Sequence, residues 1–219
     1  MKQRIIQPEL LDLLPQTDPD AVRAREEMCI VNAAMGNHGW IERVIRRHGQ
    51  RGWRVTELGA GDGALSRRLL ASGLFREAEL QALDLAPHPA DWPAACGWHC
   101  GDMLTTALPE SEIVVANLFL HHFTAMQLRE LGSRIAAPAT RLLVAAEPAR
   151  LWIYTVLGRL LCAVAELNHV QRHDMQVSIR AGFRGDELRA ALGLGDEWCV
   201  KVQMHLLGGY RFIAERQGT

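Results

Sequence analysis

The chain has 219 residues, a length that suits one domain with at most an appendage. Hydrophobic residues at 48% suffice for a single large core, and 22% charged residues are ordinary for a soluble globular protein. A formal net charge of −1 excludes a strong field drawing the chain to nucleic acid or anionic lipid. The N-terminal stretch "MKQRIIQPELLDLL" lacks the uninterrupted apolar core of a signal peptide, so a cytoplasmic protein is expected. Residues 1–50 carry helix signals and no strand signal. Asp18 is placed as an N-cap with Pro19 at the first helical position, and Val22, Met28, Val31, Ala34 and Met35 recur at near-helical spacing. Gly36-Asn37 stops that helix, and "WIERVIRRHG" starts another that ends at Gly49.

From Trp53 the rhythm changes to short apolar runs alternating with helical patterns. "WRVTEL", "ELQALDL", the weaker "GWHCGDM", "SEIVVANLFL" and "RLLVAAEP" read as strands. "ALSRRLLASG" and "TAMQLRELGSRIAAP" read as helices between them. Strands apolar on both faces, alternating with helices, argue for a parallel sheet wrapped on both sides. Five scattered cysteines form no regular frame and read as reduced thiols. Cys96, His99 and Cys100 in "CGWHC" lack a second ligand cluster nearby, so no metal is expected there.

After the fifth strand, "LWIYTVLGRLLCAVAEL" is interrupted by Arg159 and is shorter than a membrane span. It reads as a buried or lid helix. Residues 151–184 exceed what a crossover needs, which suggests a substrate-lid insertion. The chain closes with "CVKVQMHLL", Gly208-Gly209 and "YRFIAER", a hairpin. The expectation is an α/β doubly wound, mostly parallel sheet over residues 51–219, with a terminal antiparallel hairpin and a helical N-terminal cap over residues 1–50.

In open α/β sheets, ligands bind beyond the carboxyl ends of the strands. The first strand runs into "TELGAGDG", which fits both a dinucleotide fingerprint, Gly59-x-Gly61-x-x-Ala64, and a second pattern, Glu57-x-Gly59-x-Gly61-x-Gly63. The helix that follows points its N-terminal amides at the ligand. Asp84 ends the second strand, where an acid accepts ribose hydroxyls of NAD or another nucleoside. Asp102 and Met103 follow the third strand, where a carboxylate and the next amide can address an adenine edge. Asn117 ends the fourth.

With "ELGAGDG", "LDLAP", "CGDM", "NLFLHHF" and "LLVAAEP" in that order, the chain resembles the class I S-adenosylmethionine-dependent methyltransferases, in particular the ubiquinone/menaquinone-biosynthesis-like small-molecule branch. The resemblance implies a Rossmann-like seven-stranded sheet in the order 3-2-1-4-5-7-6. It implies S-adenosyl-L-methionine as cofactor and S-adenosyl-L-homocysteine as product. Glu57, Gly59, Ala60 and Gly61 would then surround the methionine part, Asp84 would hold the ribose, and Leu85 would pack on adenine. Asp102 and Met103 would meet the adenine edge, and Asn117 would lie near the sulfonium and amino group.

The acceptor expected is a small aromatic (phenolic or quinol-like) or lipid-like molecule, methylated on oxygen or carbon by in-line transfer. A base is needed only if the acceptor must lose a proton, and a phenol titrates near ~10. His122 or His121, beside the fourth strand, is the candidate base. His173, Arg180, Trp152 and Met35 are candidates for lining the substrate. "NLFL" lacks the prolines of the nucleic-acid adenine methyltransferases, so nucleic acid is not expected as a partner. A monomer or homodimer is expected. The rival readings are an NAD(P)-dependent oxidoreductase, disfavoured by lysines at only positions 2 and 201, and a catalytically inactive cofactor-binding protein.

Overall fold

The structure is a computed structural model that describes residues 1, 3–15 and 17–218. Its strands are β1 (Val55–Leu58), β2 (Leu80–Asp84), β3 (Gly97–Cys100), β4 (Ile113–Asn117), β5 (Leu142–Pro148), β6 (Trp198–Met204) and β7 (Gly209–Arg216). They form one sheet in the order β3-β2-β1-β4-β5-β7-β6, as the resemblance implies. Pairing is parallel from β3 through β5, and β7 runs antiparallel to both β5 and β6. The helices are α1 (Leu10–Leu13), α2 (Pro19–Met35), α3 (Asn37–His48), α4 (Ala64–Ala71), α5 (Ala125–Ile135), α6 (Trp152–Val164), α7 (His169–Ala181) and α8 (Glu187–Leu192). None of the described helices is long and apolar enough to cross a membrane.

Alternation along the central strands feeds two cores. Val114 and Ala116 of β4 face one side, with Leu128 and Leu131 of α5 and Leu188 and Leu192 of α8. Ile113 and Val115 face the other, with Trp40, Ile41 and Val44 of α3 and Leu65 and Leu69 of α4. Each large side chain so buried contributes about 1.5–3 kcal/mol. A third cluster joins Val31 and Met35 of α2, Cys162 of α6 and Met175 and Ile179 of α7.

Local signals set both ends of α2. The Asp18 carboxylate accepts hydrogen bonds from the Asp20 and Ala21 amides at 2.9 and 3.3 Å and so starts α2. Gly36 ends α2 in the left-handed region, at φ 61°, and α3 begins immediately at Asn37, three residues before Trp40. The apolar run "IVVANLFL" does not continue as a strand beyond Asn117. Leu118 takes φ 53°, and Leu120–His122 wind into a 3₁₀ turn. The physical reason is Glu147, described next.

Candidate functional site

At the carboxyl end of β1 the chain turns sharply through Gly59, Gly61 and Gly63, all in the left-handed region. A Cβ on Gly59 would collide with the Phe119 ring, whereas a Cβ on Gly61 would meet open space. The Gly61 amide donates to Asp84 Oδ2 at 2.8 Å, and the Ala86 amide donates to Asp84 Oδ1 at 2.8 Å. Leu85, next to Asp84, is 74% exposed. Glu57 lies buried beneath the loop with its carboxylate accepting from the Ser66 hydroxyl. Burial pushes its pKa up to about 8, against the Ser66 hydrogen bonds. Ala60 is buried in the same loop.

Beyond β3, Asp102 is exposed and accepts from the Leu104 amide at 2.9 Å. The Met103 side chain is buried in the core and its carbonyl accepts from Arg134, so Met103 meets a ligand only through its backbone. Asn117 closes this ledge from β4. Its Nδ2 donates to Asn32 Oδ1 of α2 at 2.8 Å and lies 3.3 Å from His38 Nε2, while its buried Oδ1 has no partner. Burial lowers the pKa of His38, which keeps it neutral and able to accept.

The turn after Asn117 is organised by Glu147, at the end of β5 and fully buried. Its carboxylate accepts from the amides of Phe119, Leu120 and His121 at 3.1, 2.8 and 3.3 Å. Its Oε2 also lies 2.8 Å from His121 Nδ1. His121 is 2% exposed, and its Nε2 faces Glu9 Oε1 at 3.5 Å. His122 Nδ1 lies 2.8 Å from the Phe119 carbonyl, and its Nε2 faces Glu9 Oε2 at 3.5 Å. Burial opposes charge on His122, but the Glu9 carboxylate outweighs it and raises the pKa to about 9. Burial would likewise raise Glu9, yet the two histidines hold its carboxyl well below the usual carboxylate range. The two candidate bases thus lie in one hydrogen-bonded cluster with Glu9 and Glu147. Both nitrogens of each ring already face protein acceptors, and His122 favours the protonated form.

Beside this cluster lies a cavity of about 180 Å³. Met28, Val31, Ala34 and Met35 of α2, Tyr154, Leu157 and Leu161 of α6, and Met175 and Ile179 of α7 make its apolar walls. Leu118 and Pro148 border it from the sheet, and Glu9, His121, Asp174 and Ser178 supply its polar floor. Of the expected lining residues, Met35 is in the wall and the other three are not. Trp152 is 67% exposed on the outer side of α6. His173 projects outward from α7 and meets Asp174 at 2.8 Å. Arg180 lies outside the cavity, with its carbonyl accepting from the Ile5 amide at 3.1 Å. Because α7 turns Gln171, Asp174, Met175, Ser178 and Ile179 inward, helical geometry sends positions 173 and 180 elsewhere.

Solved structures superpose on this chain across most of its length. One is a plantazolicin methyltransferase, BamL, in complex with a triazolic desmethylPZN analog and SAH, with a TM-score of 0.68 at 10% identity, covering 95% of this chain and 93% of that one. The chain has the fold of a methyltransferase. A second is the magnesium protoporphyrin IX methyltransferase of Synechocystis PCC 6803 with bound SAH, with a TM-score of 0.54 at 15% identity, covering 85% of this chain and 87% of that one. A third is the pyocyanin biosynthetic protein PhzM, with a TM-score of 0.58 at 16% identity, covering 92% of this chain and 60% of that one. No protein-family model matches the sequence, and no curated protein matches it.

Within the methyltransferase fold, sequence reasoning missed Glu9, Glu147 and Asp174. Glu147 sits inside "LLVAAEP", an apolar run where a lone acid is a signal of internal use. Asp174 is 2% exposed and accepts from the Leu10 and Leu11 amides at 2.7 and 3.0 Å, anchoring the segment that carries Glu9. The "CGWHC" cluster stays unassembled: Cys96 is buried, Cys100 is exposed, and His99 bonds Gln81 at 2.9 Å.

Proposed function

We propose that this chain is an S-adenosylmethionine-dependent methyltransferase acting on a small, largely apolar acceptor of the aromatic (phenol- or quinol-like) or lipid-like kind, by O- or C-methylation. The observation that carries the reading is the junction at Asn117-Leu118. Asn117 ends the ledge formed by Glu57, Gly61, Asp84 and Leu85, and the next residue already lines the apolar cavity. A donor on the ledge and an acceptor in the cavity thus meet across one peptide unit.

The residues of the ledge suit that cofactor. Asn117 Oδ1 has no partner within the protein and is free to accept from a donor, and the space over Gly61 admits close approach. Asp84 accepts ribose hydroxyls, exposed Leu85 covers an adenine face, and Asp102 with the Met103 amide meets its edge. Buried Glu57, whose proton is held by desolvation, gains a cationic partner when the α-ammonium of the methionine part arrives. When bound, the sulfonium supplies an electrophilic methyl group with a neutral leaving group.

The protein's part is mainly alignment, which can remove roughly 7–11 kcal/mol of barrier. Helices α2, α6 and α7 hold the acceptor and exclude water, with residues 151–184 acting as the lid. A cavity of about 180 Å³ is on the scale that admits a single aromatic ring. The ubiquinone/menaquinone-like branch supplies acceptors of this chemistry. The partner is therefore a small molecule and not nucleic acid, for a monomer or homodimer.

Calorimetric titration tests the reading. S-adenosylhomocysteine is expected to bind and NAD is not. Asp84→Ala should weaken the former about 10–150-fold, the net loss of one hydrogen bond to a charged group at about 1.5–3 kcal/mol. Binding of NAD without S-adenosylhomocysteine would overturn it. Labelled methyl transfer across a phenol and quinol panel then identifies the acceptor.

A further inference from the structure

We propose that Glu9, His121 and His122 form a binding site for one divalent transition-metal cation of the zinc class at the floor of the cavity. Their ligating atoms all lie within 4.8 Å of one another. The 3₁₀ turn Leu120–His122 lets two adjacent histidines converge, with ring centroids 4.1 Å apart and planes tilted by 34°. The Glu9 carboxylate then meets both, one oxygen to each Nε2, at 3.5 Å in each case.

Those two distances are the informative ones. A charge-assisted hydrogen bond closes to about 2.7–2.9 Å. The Nδ1 contacts of the same two rings do so, at 2.8 Å to Glu147 and 2.8 Å to the Phe119 carbonyl. The gaps to Glu9 stay open by more than half an ångström in an otherwise tightly bonded cluster. Ligands held about 2.0–2.2 Å from a tetrahedral zinc ion stand about 3.4 Å apart. The Nε2–carboxylate spacing is that of two ligands sharing a cation.

The surroundings are those of a built metal site. Each ligating histidine has its other ring nitrogen tied to a carboxylate or a backbone carbonyl, so a cation that displaces the Nε2 proton meets an Nδ1–H tautomer whose Nε2 lone pair is turned toward Glu9. Glu9 Oε1 accepts from the Ser178 hydroxyl, which orients the third ligand. Two imidazoles and one carboxylate select zinc over magnesium or calcium. Three protein ligands leave a coordination position for water or for an oxygen of a bound molecule. Glu9, His121 and Ser178 all border the cavity, so that position serves a phenolic, enolic or carboxylate oxygen of the molecule bound there. The nature of that oxygen rests on the methyltransferase reading, whereas cation binding stands by itself.

The test is cobalt(II) titration of chelator-treated full-length protein, read by visible d–d absorption and by displacement with zinc(II). One equivalent is expected to saturate the protein with a four- or five-coordinate spectrum lacking a thiolate charge-transfer band. Glu9→Gln and His122→Ala should each weaken binding at least ~100-fold, because outer contacts alone are worth about 10–100-fold. Asp84→Ala should leave it unchanged. His122 is 29% exposed, so its replacement leaves a folded protein, to be checked by circular dichroism. No absorption at stoichiometric cobalt, equal affinity in folded His122→Ala, or a thiolate band lost in Cys100→Ser would each overturn the proposal. Failure of the methyltransferase reading would instead appear in the S-adenosylhomocysteine titration, with the cobalt result intact.

Discussion

Replacing Glu147 probes the turn on which both halves of the site depend. Its carboxylate is fully buried and takes three successive amides and one imidazole nitrogen, at 2.8 to 3.3 Å. Glu147→Ala removes the acceptor while the donors stay buried. Breaking one side of a buried charged pair costs about 3–5 kcal/mol. That is a large share of the roughly 5–15 kcal/mol by which domains of this kind are stable. Glu147→Gln keeps one acceptor oxygen and loses the charge, so a cost of about 1.5–3 kcal/mol follows. Urea denaturation followed by far-ultraviolet circular dichroism measures both, through the midpoint at constant slope. The amide donors also hold Leu118 at φ 53°, so the surviving folded fraction of Glu147→Ala should lose acceptor binding before cofactor binding. An Ala variant within ~1 kcal/mol of the parent would refute the reasoning, because backbone amides of a 3₁₀ turn would then be bonded without Glu147.

Two further outcomes follow from the same geometry. Glu57 has its pKa raised by burial from 4.5 to about 8, so between these values the unfolded state ionises while the folded state holds its proton. Its contribution to stability therefore declines as pH rises through that window, by at most about 1.4 kcal/mol per unit. Thermal melts of the cofactor-free protein against Glu57→Gln should show a difference that grows from pH 5 to pH 8, and a constant difference would exclude a buried protonated carboxyl. Ala34→Phe projects a ring from α2 into the cavity, so it should raise KM for the acceptor at least tenfold while S-adenosylhomocysteine affinity stays within twofold. A matched loss of both affinities would mean that the cavity is not a separate acceptor site.

The order of elements was legible because the central strands are apolar runs bounded by turn chemistry, which need little tertiary information. Gly36 and Asp18 marked helix ends through local backbone requirements. The end of β4 was less legible. "IVVANLFL" is apolar apart from Asn117, and what stops the strand is a carboxylate 27 residues away from the Leu120 amide. Trp152 illustrates a second limit. Helix α6 is apolar on nearly every side, so composition cannot say that Tyr154, Leu157 and Leu161 turn inward while Trp152 stays outside. The histidine pair was noticed for its position after β4. Its partner Glu9 could not be, since it stands 112 residues from His121 in the chain and no periodicity links them.

That separation has a consequence for how the protein is made. The strap formed by residues 4–11 leaves the ribosome before the anchors it uses: Glu9 waits for His121, the Leu10 amide for Asp174, and Arg4 for the Ala181 carbonyl, 177 residues on. The sheet core can therefore condense around β1, β2 and β4 while the strap is still unattached. The floor of the cavity comes into being only when α7 has been synthesised and captures it. Fold and site thus mature at different times, and a nascent chain halted after β5 would carry the glycine ledge complete with Asp84 but no finished chamber beside it.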